Sequence, residues 1–318
     1  RTWPMDNLTH SLVGALIGQA GLKRKTGLAM PALIIGANLP DVDAACFLWL
    51  EGVEHLAFRR GITHGPPALV LLPLILAGLL WTFDRWQTGR GKRPEGRLPV
   101  NFAWLFALSF IACLTHPALD WLNVYGIRLL EPFSSQWFYG DVLFIIDVWL
   151  WLAMGIGTWL SLRREKRGQA WRQPARIALS AALAYIGVNA AITYFAERRA
   201  TASGDALAVI ASPPPVTFWV RDLIHVREPP GVYDWTPADS PLSMAARPPV
   251  FCDLGPVRLR AKSDPQVAAF LFWSRTPLAE RGADGSVVLY DARYYDPRAR
   301  GRFSVPIPGL PCEPLAPR

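Results

Sequence analysis

The first 200 residues contain six apolar segments separated by short polar loops, and this pattern constrains the fold more than any other feature. The segments cover roughly residues 8–22, 27–50, 65–83, 102–123, 142–162 and 175–196. A helix needs about 20 apolar residues to cross a bilayer. Four segments meet that length, while the first is short and the second is interrupted by NLPDVD at 38–43. The pattern predicts an all-α polytopic membrane bundle of about five or six transmembrane helices, some of them broken, in which the first two segments form either a hairpin or a re-entrant pair.

Basic residues are concentrated in alternate loops between these segments. Residues 84–97 contain five basic and two acidic residues, and residues 163–176 contain six and one. Short cationic loops stay in the cytoplasm. We therefore expect loops 22–26, 84–101 and 163–174 to be cytoplasmic in a bacterial inner membrane, with the C-terminal region outside. The net charge of +8 follows from these topological clusters, so no nucleic-acid partner is expected.

The composition changes after residue 200, where Pro, Gly and Asp residues separate shorter apolar runs. We divide the chain into a helical transmembrane metal-site domain, 5–197, and a small extracytoplasmic α+β domain, 200–318. The first of these domains begins at Met5, which is the expected start of the natural chain. Within the second domain, 212–226, 257–264 and 285–296 resemble strands and 265–274 an amphipathic helix. An oxidising compartment would allow a disulfide between Cys252 and Cys312 but does not require one.

Eight ionisable residues lie within apolar surroundings, all near the outer ends of the predicted segments. Such residues are costly in a membrane and are functional candidates by default. They are His10, Asp41, Asp43, His64, His116, Asp120, Asp141 and Asp147. Imidazole and carboxylate ligands suit Zn or Mn, and the absence of thiolates favours a catalytic site. We expect one to three divalent metal ions here, with zinc as the first choice.

The local spacing gives specific expectations for four of these residues. His116 and Asp120 are four apart and would share one helical face, although Pro117 between them predicts a break in the helix. Asp41 and Asp43 are two apart after a proline, which makes them co-facial only in an extended turn. We therefore predict irregular backbone that lines a polar cavity at 38–43.

The remaining candidates have alternative interpretations. Asp141 and Asp147 are six apart and cannot share a helical face, so at most one is expected to bind metal while the other orients a histidine. Capping of a helix is an equal alternative for Asp141. Arg59 and Arg60, on an outer loop beside His64, could bind an anionic substrate or anchor to lipid head groups.

Five motifs resemble the signature blocks of a known family. They are MDNLTHSLVGALIG, GANLPDVD, RRGITHG, THPALDWLNVYGIRLLEPF and WFYGDVLFIID, in order over residues 5–160. They are similar to those of the bacterial membrane-bound metal-dependent hydrolases, the YdjM-like inner-membrane proteins. The resemblance implies that the metal-binding positions are His10, Asp41, Asp43, His64, His116 and Asp120. A more distant similarity to zinc-dependent phospholipase C and P1 nuclease implies phosphoester hydrolysis.

These observations lead to one preferred function and two alternatives. We expect a membrane-embedded phosphoester hydrolase whose metals activate water, with Asp41 as the bridging ligand or general base and with a lipid or lipid-linked phosphate as substrate. An ion or metal transporter is the first alternative. A non-catalytic structural metal that anchors the outer domain is the second.

Overall fold

The computed structural model describes residues 7–202, 206–227, 232–236 and 250–314, so the expected start at Met5 lies outside the described residues. The helices are α1 (Asn7–Gln19), α2 (Ala29–Gly36), α3 (His55–Phe58), α4 (Pro66–Gly89), α5 (Phe102–Leu122), α6 (Val148–Lys166), α7 (Arg172–Thr201), α8 (Leu254–Arg260) and α9 (Pro265–Trp273). Short 3₁₀ helices occur at Leu22–Arg24, Leu39–Leu48, Ile62–His64, Ala292–Tyr294 and Arg300–Arg302. The strands are β1 (Ala208–Ser212), β2 (Asp222–Arg227), β3 (Val232–Thr236), β4 (Pro277–Arg281), β5 (Ser286–Asp291) and β6 (Ser304–Pro311).

All six apolar segments are helical, but they differ in their ability to cross a membrane. In the described part of the chain, three helices are long and apolar enough to span a bilayer, namely α4, α5 and α7. A fourth span results if α2 and the 3₁₀ helix that follows it are counted together. Helix α1 has only 13 residues, and α6 ends in a basic turn. The protein is therefore a mostly helical bundle with three or four candidate spans.

The predicted break in the second segment is confirmed, but its backbone is not extended. Helix α2 and the 3₁₀ helix Leu39–Leu48, called here the 3₁₀ segment, meet at an angle of 54°. The extended turn expected for Asp41 and Asp43 is wrong, because ten consecutive residues adopt 3₁₀ geometry. Residues two apart on such a helix diverge by about 120°. The two carboxylates therefore leave the segment in different directions.

Helix α5 continues through Pro117, so the predicted break at this position is wrong. It runs unbroken from Phe102 to Leu122, and Asn101 caps its first turn by accepting the Trp104 N–H at 3.0 Å. Proline removes one backbone hydrogen bond, which a membrane bundle tolerates when neighbouring helices pack around it. The turn that contains His116 and Asp120 is consequently intact.

Close packing brings the bent second segment against α5. Helix α5 packs against α2 and α4, while α1 packs against α2, α6 and α7. Gly36 at the end of α2 allows the closest approach, since a Cβ at this position would lie 2.9 Å from the Ser109 carbonyl oxygen. Small residues serve helix contacts in membranes in this way. The 3₁₀ segment is thereby held beside the C-terminal end of α5.

The C-terminal region forms a small domain with two three-stranded antiparallel sheets, ordered β1–β2–β3 and β4–β5–β6. Helix α9 confirms the amphipathic helix predicted at 265–274, whereas residues 257–264, predicted as a strand, belong largely to α8 and the turn after it. Pro256 is acceptable in the first turn of α8, where its missing N–H is not needed. Cys252 and Cys312 form a disulfide. The boundary between domains 5–197 and 200–318 stays a prediction.

The core of the C-terminal domain is shared with loops of the helical bundle. Leu56 of the short helix α3 and Val124 and Tyr125 of the loop after α5 are fully buried among Phe270 and Trp273 of α9. Gln266 of α9 also accepts a hydrogen bond from the backbone N–H of Val53 at 2.6 Å. The loops that flank His64 and Asp120 are thus covered by the C-terminal domain.

Candidate metal centre

Five of the six predicted ligands converge at the bend of the second segment. Helix α1 supplies His10, the 3₁₀ segment supplies Asp41, the turn Ile62–His64 supplies His64, and α5 supplies His116 and Asp120. Their ligand atoms form two overlapping triads, each with all atoms within 4.8 Å: His10, His116 and Asp120, and Asp41, His64 and His116. His64 and His116 have no exposed surface, and Asp120 is 2% exposed.

Asp120 lies at the middle of this cluster. Its Oδ2 atom is 3.5 Å from Nε2 of both His64 and His116, and its Oδ1 atom is 3.5 Å from Nε2 of His10. Asp41 Oδ1 is 3.7 Å from the same nitrogen of His116. A tetrahedral ion with bonds of about 2.0–2.1 Å separates its ligand atoms by roughly 3.4 Å. The spacing of these side chains therefore fits a bound zinc-sized cation.

Hydrogen bonds fix the orientation of two imidazole rings. His116 Nδ1 lies 2.7 Å from the Ala37 carbonyl oxygen, which can only accept, so Nδ1 carries the proton and Nε2 keeps its lone pair. The Nδ1 atom of His64 lies 3.0 Å from the hydroxyl of Thr63. Nε2 of both rings is buried without a hydrogen-bond partner. Because unpartnered buried polar atoms are costly, these nitrogens and the adjacent carboxylates fit a metal ion by their chemistry.

Asp43 occupies a different position from the other predicted ligands. Its carboxylate accepts the backbone N–H of Arg60 at 2.8 Å and Arg59 Nε at 3.1 Å. It lies 3.7 Å from Nδ1 of His64, on the side of the ring opposite the cluster. Asp43 therefore lies outside both triads, and its role as a direct ligand stays a prediction. This carboxylate supports His64 from behind, as outer partners of metal-bound histidines do.

Arg59 and Arg60, which were expected on an outer loop beside His64, are buried in the structure. Their exposed fractions are 0% and 3%. Arg59 binds both Asp41 and Asp43, and Arg60 Nη2 lies 2.8 Å from Asp120 Oδ1. Buried carboxylates need such counter-charges. Anchoring to lipid head groups is incompatible with this burial, whereas a role toward a substrate anion stays a prediction.

Asp141 and Asp147 do not meet the histidines. Asp147 caps α6 by accepting the N–H groups of Trp149 and Leu150 at 3.0 and 2.9 Å, and it also accepts the Tyr185 hydroxyl. Asp141 pairs with Arg275 at 2.6 Å. Neither residue belongs to a triad, so direct binding of metal or orientation of a histidine stays a prediction for both. The helix-capping role considered for Asp141 belongs to Asp147, because the helix begins directly after it.

Three supporting residues were not predicted from the sequence. Thr63 contacts both His64 and Asp43, and Asn123 accepts a hydrogen bond from Arg60 Nη1 at 2.8 Å. Tyr125 lies against the Arg60 guanidinium, with 4.5 Å between that group and the ring centroid. Thr63 is adjacent to a candidate ligand and Asn123 lies three residues after Asp120, which is the signal that could have identified them. Tyr125 carried no such signal.

A small cavity of about 20 Å³ adjoins the cluster. Its lining includes His10, Arg60, Asp120, Asn123 and Asp147. This volume is enough for about one water molecule. A polar space for a small ligand therefore lies next to Asp120.

The fold and the cluster define a helical membrane protein with a buried His/Asp centre that could hold a metal ion. The chain belongs to the YdjM inner membrane protein family, whose family model matches residues 5–196. It is also similar to the uncharacterized protein YfhP of Bacillus subtilis (strain 168), with 29% identity over 141 residues, 42% of this chain and 39% of the relative. The match thus spans less than half of that relative's length. No solved structure matches the chain.

Proposed function

We propose that this protein is a metal-dependent hydrolase of the inner membrane that acts on a phosphoester in a lipid or lipid-linked substrate. One observation carries the proposal: three imidazoles and two carboxylates converge in a buried cluster that leaves Nε2 of His64 and His116 without partners. Such a set, with no thiolate, is typical of catalytic zinc sites.

The residues of the cluster have separate roles in this proposal. His10, His64, His116 and Asp120 hold the metal, which when bound lowers the pKa of a coordinated water and polarises a phosphoryl oxygen. Asp41 is the general base that accepts the proton of that water. Its side chain is 7% exposed, against 0–3% for those of His64, His116 and Asp120, which favours access to water. Arg59 holds Asp41 in place through their ion pair.

The proposal includes an orientation in the membrane. All six apolar segments enter or cross the bilayer, and both the centre and the C-terminal domain face the outside. Two basic clusters support this orientation. Lys23 and Arg24 lie in the 3₁₀ helix that follows α1, and Arg163, Arg164 and Lys166 lie in the last turn of α6. The metal centre lies at the opposite ends of the adjoining helices, as expected if the basic ends are cytoplasmic.

A structural metal is the second candidate, and the small volume of the adjoining cavity, about 20 Å³, favours it. A structural ion has a closed ligand set, whereas a catalytic ion keeps one position open for water or substrate. Turnover distinguishes the two, because both roles predict bound metal.

The test combines metal analysis with hydrolysis by the full chain purified in detergent. We expect bound zinc or manganese, and hydrolysis of a phosphate monoester or diester presented both as a soluble nitrophenyl ester and as a lipid in mixed micelles. His116→Ala should lose metal and activity, while the matched variant His225→Ala on β2 should keep both. A metal-free wild-type protein would refute both roles. Bound metal without turnover on any phosphoester would leave the structural role.

A further inference from the structure

We infer that the centre holds one divalent ion, and that the Arg60 guanidinium occupies the position where a second cation would otherwise bind. The inference rests on the metal-binding part of the proposed function and does not depend on catalysis.

The geometry of the ligands supports a single ion. The two triads share His116, whose Nδ1 is committed to the Ala37 carbonyl. Its Nε2 has one lone pair and can bind only one cation. The triads are therefore alternative parts of one cluster around this nitrogen and cannot be two complete sites.

The charge of the buried cluster also indicates a single bound ion. Three carboxylates, Asp41, Asp43 and Asp120, face the two guanidiniums of Arg59 and Arg60, which leaves one negative charge. Asp147 on the wall of the adjoining cavity adds a second. One divalent ion brings the cluster close to neutrality, whereas two would leave at least two positive charges in a buried site. Uncompensated buried charge is strongly unfavourable.

The Arg60 head group lies in a cradle of oxygen atoms. It contacts Asp120 Oδ1 at 2.8 Å, Asn123 Oδ1 at 2.8 Å and the Gly126 carbonyl oxygen at 3.2 Å. Carboxylate, amide and carbonyl oxygens are the ligands that hard divalent cations prefer. Without the guanidinium, these three oxygen atoms would form a second cation site beside the first.

Tyr125 and the backbone keep the guanidinium in this cradle. The Tyr125 ring faces it from 4.5 Å, and the Arg60 backbone N–H is bound by Asp43. The cation is therefore a built-in part of the protein, and it does not exchange with solvent.

The primary experiment is a zinc and manganese titration of the full-length protein, with bound metal counted per chain by elemental analysis. We expect saturation at one equivalent. Saturation at two or more equivalents would overturn the inference while leaving the hydrolase proposal intact. One equivalent without hydrolysis would support the inference and refute catalysis. A metal-free protein would refute both.

The Arg60→Ala variant tests whether the Arg60 guanidinium occupies the position of a second cation. We expect it to bind two equivalents, and we expect millimolar guanidinium ion to return it to one by occupying the cradle. Arg221→Ala is the matched control, because Arg221 is also buried but its hydrogen bonds go to groups outside the centre; it should stay at one equivalent. A folded Arg60→Ala protein that still saturates at one equivalent would contradict the assignment. If that variant does not fold, the wild-type count still decides, and Arg60→Lys, which keeps the charge, must give one equivalent.

Discussion

Two buried arginine–aspartate pairs in this protein, Arg60–Asp120 in the candidate metal centre and Arg293–Asp291 in the C-terminal domain, differ in how completely they are hydrogen-bonded. Arg293 donates to Asp291 through Nε and Nη2 at 2.8 and 2.7 Å, and its Nη1 donates to the Val124 carbonyl at 2.7 Å. Asp291 also accepts hydroxyl groups from Ser274 and Thr276. Neither member of this pair has a buried side-chain nitrogen or oxygen without a partner.

The Arg60–Asp120 pair in the candidate metal centre is not fully hydrogen-bonded. Arg60 Nε and Asp120 Oδ2 are buried without a hydrogen-bond partner, as are Nε2 of His64 and His116. Buried polar atoms are normally hydrogen-bonded, so several unpartnered ligand atoms that converge in one place favour the binding of an ion there. The comparison teaches that burial and charge alone do not identify a functional site, and that convergent unpartnered histidine and carboxylate atoms favour one.

Asp120→Asn should have the largest effect of the substitutions that test this contrast. It removes a ligand charge, so we expect the metal affinity to fall by more than the roughly 10–100-fold that loss of an outer partner costs. Metal content after gel filtration measures this. Asp43→Asn is the matched comparison and should stay within that 10–100-fold range. Equal losses in the two variants would contradict the supporting role of Asp43.

Arg293→Met should act on stability alone. It leaves Asp291 buried without its counter-charge, which typically costs about 3–5 kcal/mol of unfolding free energy. Chemical denaturation in detergent, followed through the tryptophans of the C-terminal domain, measures the change. The metal content of the folded variant should equal that of the wild type. A variant that loses metal while it keeps the unfolding free energy of the wild type would show that the Arg293–Asp291 pair also contributes to metal binding.

Acid should weaken the saturated pair. Burial alone would raise the pKa of Asp291, but Arg293 and the hydroxyl of Ser274 hold this pKa below its ordinary value of 3.8. The stabilisation is therefore fully present above pH 3.8 and is lost as the pH falls through the lowered pKa. Unfolding free energy measured between pH 6 and pH 3 should decline in the wild type. The decline should be smaller in Asp291→Asn, which has no carboxylate to titrate.

Asp147→Ala should have the smallest effect. The carboxylate caps α6 and binds the Tyr185 hydroxyl, and loss of a cap costs about 1 kcal/mol, in the range 0.5–2 kcal/mol. The melting temperature should fall slightly while metal affinity changes little, because Asp147 holds no position in either triad. Complete loss of bound metal in this variant would contradict this prediction and indicate that Asp147 is a metal ligand.

The sequence predicted the parts of the centre that depend on local spacing. His116 and Asp120 were expected on one helical face, and all six apolar segments are helical. The partners of Asp43 and Arg60 could not be predicted, because they depend on how a 3₁₀ segment, a turn and the end of α5 meet in three dimensions. Residues 257–264, bounded by turn residues, were predicted as a strand, but in α8 Val257 is buried while Leu259 is exposed, because residues two apart on a helix point to opposite sides.

The shared core has a consequence for the order in which the protein is assembled. During synthesis the ligands of the centre are complete once Asp120 has been made, but Trp273, which lies against Tyr125 with 5.1 Å between ring centroids, is made much later. Tyr125 in turn lies over Arg60. The wall behind the centre is therefore finished only after α9 has folded onto the bundle, so a chain truncated before α9 would carry every ligand and still lack a mature site.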